Sequence, residues 1–180
     1  MFYVWICHFC FSHIMVTRRG VRRKATLGMS VEIQLLGPPA LSKDGHPLHL
    51  HSTKTLALMT YLVLEGEKDH SREKLAGLLW GESTNDRARQ SLRQALYSLR
   101  RTLPDGSIVA NRESATFNLD PGMSVDVLAF QKRFRQRAEN KSVNALRKAA
   151  DLYRGALLEG AEPTDCPAFE EWLFFKRDRL

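Results

Sequence analysis

The sequence predicts a mainly α-helical fold with small β elements: a winged helix-turn-helix with an N-terminal β element and a C-terminal wing hairpin. Three observations predict it. Two helical segments with apolar stripes are followed by a third, Arg87–Leu103, whose outer face is basic. That third segment stops at Pro104-Asp105-Gly106, and a short alternating stretch with a polar centre comes next, the pattern of a hairpin. A strand-like run, too small to stand alone, precedes all three helices.

Val31 to Leu36 (VEIQLL) reads as a short strand closed by Gly37-Pro38-Pro39. Lys43-Asp44-Gly45 has turn chemistry, and His46 to Leu50 alternates as a second strand. Thr53 to Gly66 reads as a helix with Leu58, Met59, Leu62 and Val63 on one face and glycine at its end. Ser71 to Trp80 reads as a second helix: Ser71 is an N-cap, Glu73 lies in the favourable first turn, and Leu75, Leu78 and Leu79 form the stripe. Thr84, Asn85 and Asp86 offer caps for the third helix. Beyond it, Ile108 and Val109 begin one strand, Arg112-Glu113-Ser114 turns, and Thr116 to Leu119 alternates back.

From Val125 the texture becomes helical throughout. VDVLAFQKRFRQRAEN is one expected helix, VNALRKAADLYRGALLEG a second ending at Gly160, and a third begins near Pro167. With Ala145, Ala149 and Leu152-Tyr153 at packing positions, the first two resemble a tetratricopeptide-like pair. One and a half such units cannot close a solenoid, so the expectation is a truncated second domain. The expected organisation is an extension over 1–28, a winged-helix domain over 29–121, and the start of a helical domain over 122–180.

The net charge of +7 is unevenly placed. Arg18, Arg19, Arg22, Arg23 and Lys24 lie in the first 28 residues without an acid, and removing them leaves +2 for the rest. Any case for nucleic acid therefore rests on a local patch. The N-terminal run MFYVWICHFCFSHIMV carries its basic residues on the wrong side for a signal peptide and is short for a membrane span. Because Met29 opens a clean domain start, residues 1–28 read as a mis-assigned upstream extension, with a weak membrane anchor as the alternative. Cys7, His8, Cys10 and His13 crowd together with no second half-site, so no metal site is expected. Three cysteines without regular spacing form no disulfide framework, and a reducing cytoplasmic setting is the default. The chain carries no P-loop, no dinucleotide-binding glycine motif, no HExxH and no nucleophile elbow. No enzymatic activity and no cofactor are expected.

On a helical wheel Ala88, Leu92, Ala95, Leu96, Leu99 and Leu103 share one face of the third helix. The opposite arc holds Arg87, Arg89, Gln90, Arg93, Gln94, Tyr97, Arg100 and Arg101. A solvated face usually interleaves acids with bases at i,i+4 spacing, and this one has no acid from Arg87 to Leu103. Its residues are those that read a DNA groove, since arginine forks onto guanine and glutamine pairs with adenine. A solvated face and an acidic protein partner remain as alternatives. The order of elements favours double-stranded DNA, with the third helix in the major groove and Arg112, at the hairpin tip, on the backbone or in the minor groove. Trp80 is expected to pack in the core, and His46, His49, His51 and His70 to face solvent.

The run TKTLALMTYLVLEGEKDHSREKLAGLLWGESTNDRARQSLRQALYSLRRTL resembles the winged-helix output domain of OmpR-type response regulators. More closely, it is similar to the Streptomyces antibiotic regulatory protein family. The later segments VDVLAFQKRF, ADLYRGALLEG and FEEWLFFKRDRL resemble the start of the bacterial transcriptional activator domain of those regulators. The resemblance covers about residues 31–180, and REKLAGLLW, SLRQALYSLRR and YRGALLEG carry most of it. It implies promoter binding, often as a homodimer at direct repeats, and recruitment of RNA polymerase by an activator. A helical protein-interaction module that meets an acidic partner is the competing expectation, and a hairpin after Leu103 discriminates against it.

Overall fold

The computed structural model describes residues 30–66, 68–140, 147 and 150–180. Among the described residues these strands and helices follow in order. They are β1 (Val31–Gln34), β2 (Ala40–Lys43), β3 (His46–Leu48), α1 (Thr53–Glu65), β4 (His70–Ser71), α2 (Arg72–Trp80) and α3 (Asn85–Thr102). After these come β5 (Ile108–Ala110), β6 (Ser114–Phe117), β7 (Met123–Val125), α4 (Asp126–Asn140) and α5 (Pro167–Asp178).

The N-terminal β element is larger than expected. Residues 40–43 form a strand of their own, and β1, β2 and β3 make an antiparallel meander. Asp44 and Gly45, with φ 50° and 77°, supply the two left-handed residues that a tight hairpin needs. A fourth strand, β7, joins on the other side of β1 in parallel, with Val31 opposite Met123 and Ile33 opposite Val125. Sequence pattern alone missed β7, because three residues carry too little periodicity and the partner lies some ninety residues away.

Asp126, the first residue of α4, locks that junction. Its carboxylate accepts hydrogen bonds from the backbone N–H of Leu35 at 2.8 and 2.9 Å and of Leu36 at 2.9 Å, just beyond β1. It also accepts from Val127 N–H at 2.7 Å, so one side chain serves two elements.

Helix α1 is the centre of the molecule. Every residue from Thr55 to Val63 is buried, which is why its apolar pattern runs nearly all round. Thr60, fully buried, satisfies its hydroxyl on Leu56 O at 2.9 Å. Ser52 and Ser71 cap α1 and α2 through Thr55 N–H and Lys74 N–H. Trp80, half-buried, packs against the core.

Two expectations are corrected, one of them after α4. The helix expected to run to Gly160 does not: residues 151–160 form turns and a bridge that pairs Leu36 with Leu157. Gly37 N–H donates to Ala156 O and Leu158 N–H to Leu35 O, both at 2.9 Å, so this stretch lies alongside the chain after β1. Close backbone approach makes this pairing: a Cβ on Gly155 would stand 3.0 Å from Gly37 Cα. Tertiary pairing and two glycines override the helical propensity of ALLE. Ala145 and Ala149, half of the expected helix-pair contact, lie outside the described residues. The second correction is His70, expected in solvent but only 6% exposed. It sits in β4 against Tyr61, ring centroids 5.3 Å apart, and among the described residues its Nε2 has no hydrogen-bond partner.

Helix α5 packs back against α2. Phe169, Leu173 and Cys166 are buried in the same core as α1 and α2. Trp172 Nε1 donates to Glu65 at 2.8 Å and Lys176 pairs with the same carboxylate at 2.8 Å. Burial pushes the Glu65 carboxyl up, but the hydrogen bonds from Lys176 and Trp172 outweigh it and hold the group below its ordinary value. Phe174 and Phe175, on the outer side of α5, are exposed. Among the described residues no helix is long and apolar enough to cross a membrane. The N-terminal run with Cys7, His8, Cys10 and His13 lies outside the described residues.

Candidate nucleic-acid interface

Eighteen residues of α3 give a rod of about 27 Å at 1.5 Å per residue, enough to lie along a major groove. Ala88, Leu92, Ala95, Leu96, Leu99 and Leu103 are all buried, as the wheel predicts. They press the helix onto α1, α2 and β5. Arg87, Arg89, Gln90, Arg93, Gln94, Tyr97, Arg100 and Arg101 are all exposed on the other side. Among the described residues no arginine of α3 forms a salt bridge. After Asp86 in the first turn, the outward face of the helix carries only positive formal charges.

Three of these side chains have partners. Arg101 lies over the Tyr97 ring, its guanidinium carbon 5.8 Å from the centroid, a cation–π contact on the outer face. Tyr97 itself is 62% exposed. Arg100 turns the other way, donating Nε to Ile108 O at 3.2 Å and Nη2 to Ala110 O at 2.9 Å.

The hairpin beyond α3 is a wing. Strands β5 and β6 pair antiparallel, with Ile108 opposite Phe117 and Ala110 opposite Ala115. Asn111 shapes the turn: its side-chain oxygen accepts from Glu113 N–H and Ser114 N–H, both at 2.7 Å. Arg112 is exposed at the tip. The wing is anchored by β4, which pairs with β6 immediately before α2, so the start of one helix and the hairpin share a sheet of order β4-β6-β5. Thr116 donates its hydroxyl to Asp69 at 2.5 Å.

Sequence pattern missed one neighbour of the hairpin. Arg72, the first residue of α2, donates Nη1 to Asn111 O at 2.9 Å, and its backbone N–H reaches Glu113 O at 2.8 Å. Thirty-nine residues separate Arg72 from Asn111, and no local pattern signals the pairing. Among the described residues there is no group of three or more His, Cys, Asp or Glu side chains placed to hold a metal ion.

No protein-family model matches the chain. Among curated proteins it is similar to the transcriptional regulatory protein MoaR1 of Mycobacterium bovis and to MoaR1 of Mycobacterium tuberculosis. Each is 32% identical over 91 residues, which is 51% of this chain and 29% of the relative. The chain thus spans less than a third of the length of these relatives. Among solved structures it is similar to Mycobacterium tuberculosis EmbR in complex with a low affinity phosphopeptide, with a TM-score of 0.70 and 20% identity, over 84% of this chain and 42% of that one. The likeness to EmbR is one of fold, and the likeness in sequence is to a transcriptional regulatory protein.

Proposed function

We propose that this chain is a sequence-specific, double-stranded-DNA-binding regulator of transcription, an activator of bacterial type. The observation that carries the reading is α3 itself: an apolar face seated on the core and an exposed face of arginine, glutamine and one tyrosine that has no acid from Arg87 onward, beside an arginine-tipped wing. In this reading α3 lies in the major groove, where phosphate contacts set the register and a few side chains read bases. The contacts are drawn from Arg87, Arg89, Gln90, Arg93, Gln94, Tyr97 and Arg101, with Arg112 on the backbone or in the minor groove. The similarity to MoaR1 supports regulation of transcription as the purpose of that binding. Residues 29–121 form the DNA-binding unit, and residues 122–180 begin a helical activator domain docked against it. RNA polymerase is then the protein partner, and a homodimer on direct repeats the assembly. A cytoplasmic location without catalysis or cofactor goes with this reading. The hairpin after α3 supports DNA over the competing helical interaction module with an acidic partner, for which another helix is expected there.

The test is binding of the full chain to random-sequence duplex DNA across a salt series, with Arg93→Ala and Arg101→Ala alongside. Steep salt dependence that weakens in the variants is expected, because each phosphate contact releases counterions. Absent or salt-insensitive binding by the folded protein would sink the major-groove reading and send the search to an acidic protein partner.

A further inference from the structure

Strand β5 lies at the free edge of its sheet. An edge strand leaves one row of backbone groups without a ladder partner. Here the carbonyls of that row are taken by one side chain, because Arg100 donates to both Ile108 O and Ala110 O. These residues are two apart, the spacing at which a strand presents successive groups to the same side. The guanidinium thus stands in for a neighbouring strand and ties the wing to α3. From the other end, Arg72 holds the turn through Asn111 O and Glu113 O and ties the wing to α2. Arg112 lies between the two residues, Asn111 and Glu113, that Arg72 holds.

We propose that Arg100 is a positioning residue that sets the angle of the wing against α3, and is not itself a base or phosphate contact. The inference rests on the DNA-binding reading of this surface. A two-stranded hairpin is marginal by itself, and a loosely held tip would have to be ordered each time it met DNA. Bracing it in advance lets Arg112 and the α3 side chains engage one duplex together.

The experiment uses the full chain with Arg100→Ala and Arg100→Lys, each alone and combined with Arg112→Ala. Arg100→Lys keeps the charge but offers one donor centre in place of a fork. Hydrogen exchange over residues 107–117 without DNA and affinity for duplex DNA across a salt series are both read. Both Arg100 variants are expected to speed exchange in the wing while α1 and α3 keep their protection. Arg100→Ala is expected to lose about tenfold in affinity when Arg112 is present, and little once Arg112 is gone. Equal losses in both backgrounds, with a salt slope smaller by about one, would make Arg100 a phosphate contact and overturn the proposal. Unchanged exchange in the wing would overturn it as well. If the wild-type chain binds no DNA, the functional reading falls, and faster exchange would then leave Arg100 a brace of the fold only.

Discussion

Arg93 and Arg100 stand two turns apart on one helix and have different surroundings. Arg93 is exposed on the outer face, whereas Arg100 is drawn onto the wing's carbonyls. Composition treats them alike, and only the position of β5 separates them. Replacing Arg93 with alanine should cost about 1–3 kcal/mol in binding and relax preference at one base pair if it reads a base. Selection of bound sequences by wild type and variant checks this. His70 carries a different prediction. Burial holds its pKa below the ordinary 6.5, with Lys74 and Lys68 adding to the effect and Glu65 and Asp69 opposing it. The folded state therefore keeps the imidazole neutral where the unfolded chain binds a proton. That contribution to stability is complete above pH 6.5 and is lost as the pH falls from there towards the lower folded-state pKa. Denaturant titrations between pH 8 and 5 should show an acid-side slope that shrinks in His70→Gln. An identical slope in the two proteins would refute it.

At the scale of elements, pairing decides where helix and strand end. Gly37 has φ +90°, and a Cβ there would stand 3.2 Å from the backbone of Arg154. Gly37→Ala should destabilise by about 1–3 kcal/mol through backbone strain and crowding, read as a lower denaturation midpoint at unchanged slope. Asp126 serves β1 and α4 together, so Asp126→Ala leaves the N–H groups of Leu35 and Leu36 without their acceptor. A loss of about 1–3 kcal/mol is expected, with Asp126→Asn milder because one oxygen remains. Helix α3 was readable because its two faces differ so sharply. Strands β4 and β7 were not, since two or three residues hold no period and each is made by a distant partner.

For the whole molecule, the described residues on both sides of residue 121 share one apolar core. Leu157, Leu158, Phe169 and Leu173 lie in the same cluster as Leu58, Leu79 and Leu99. The segment after residue 121 is thus expected to unfold together with the residues before it. Fluorescence of Trp80 and Trp172, followed separately in single-tryptophan variants, should report coincident transitions. Separate midpoints would show that α5 docks only loosely. Trp172 donates its ring N–H to the Glu65 carboxylate, and its tilted contact with the Tyr61 ring, centroids 5.0 Å apart, adds to the docking of α5.

The amino-acid sequence by itself determined the helical core, the cap at Ser71, the buried face of α3 with its basic reverse, and the hairpin after it. All of these depend on contacts close in sequence or on periodicity along one element, which a single chain displays openly. Only the tertiary structure decided that residues 155–158 lie against Gly37, that His70 is buried, and that Arg72 and Arg100 grip the wing. Those outcomes are set by which backbone groups and side chains meet across tens of residues, and a side chain's partner, unlike its periodicity, is not written beside it.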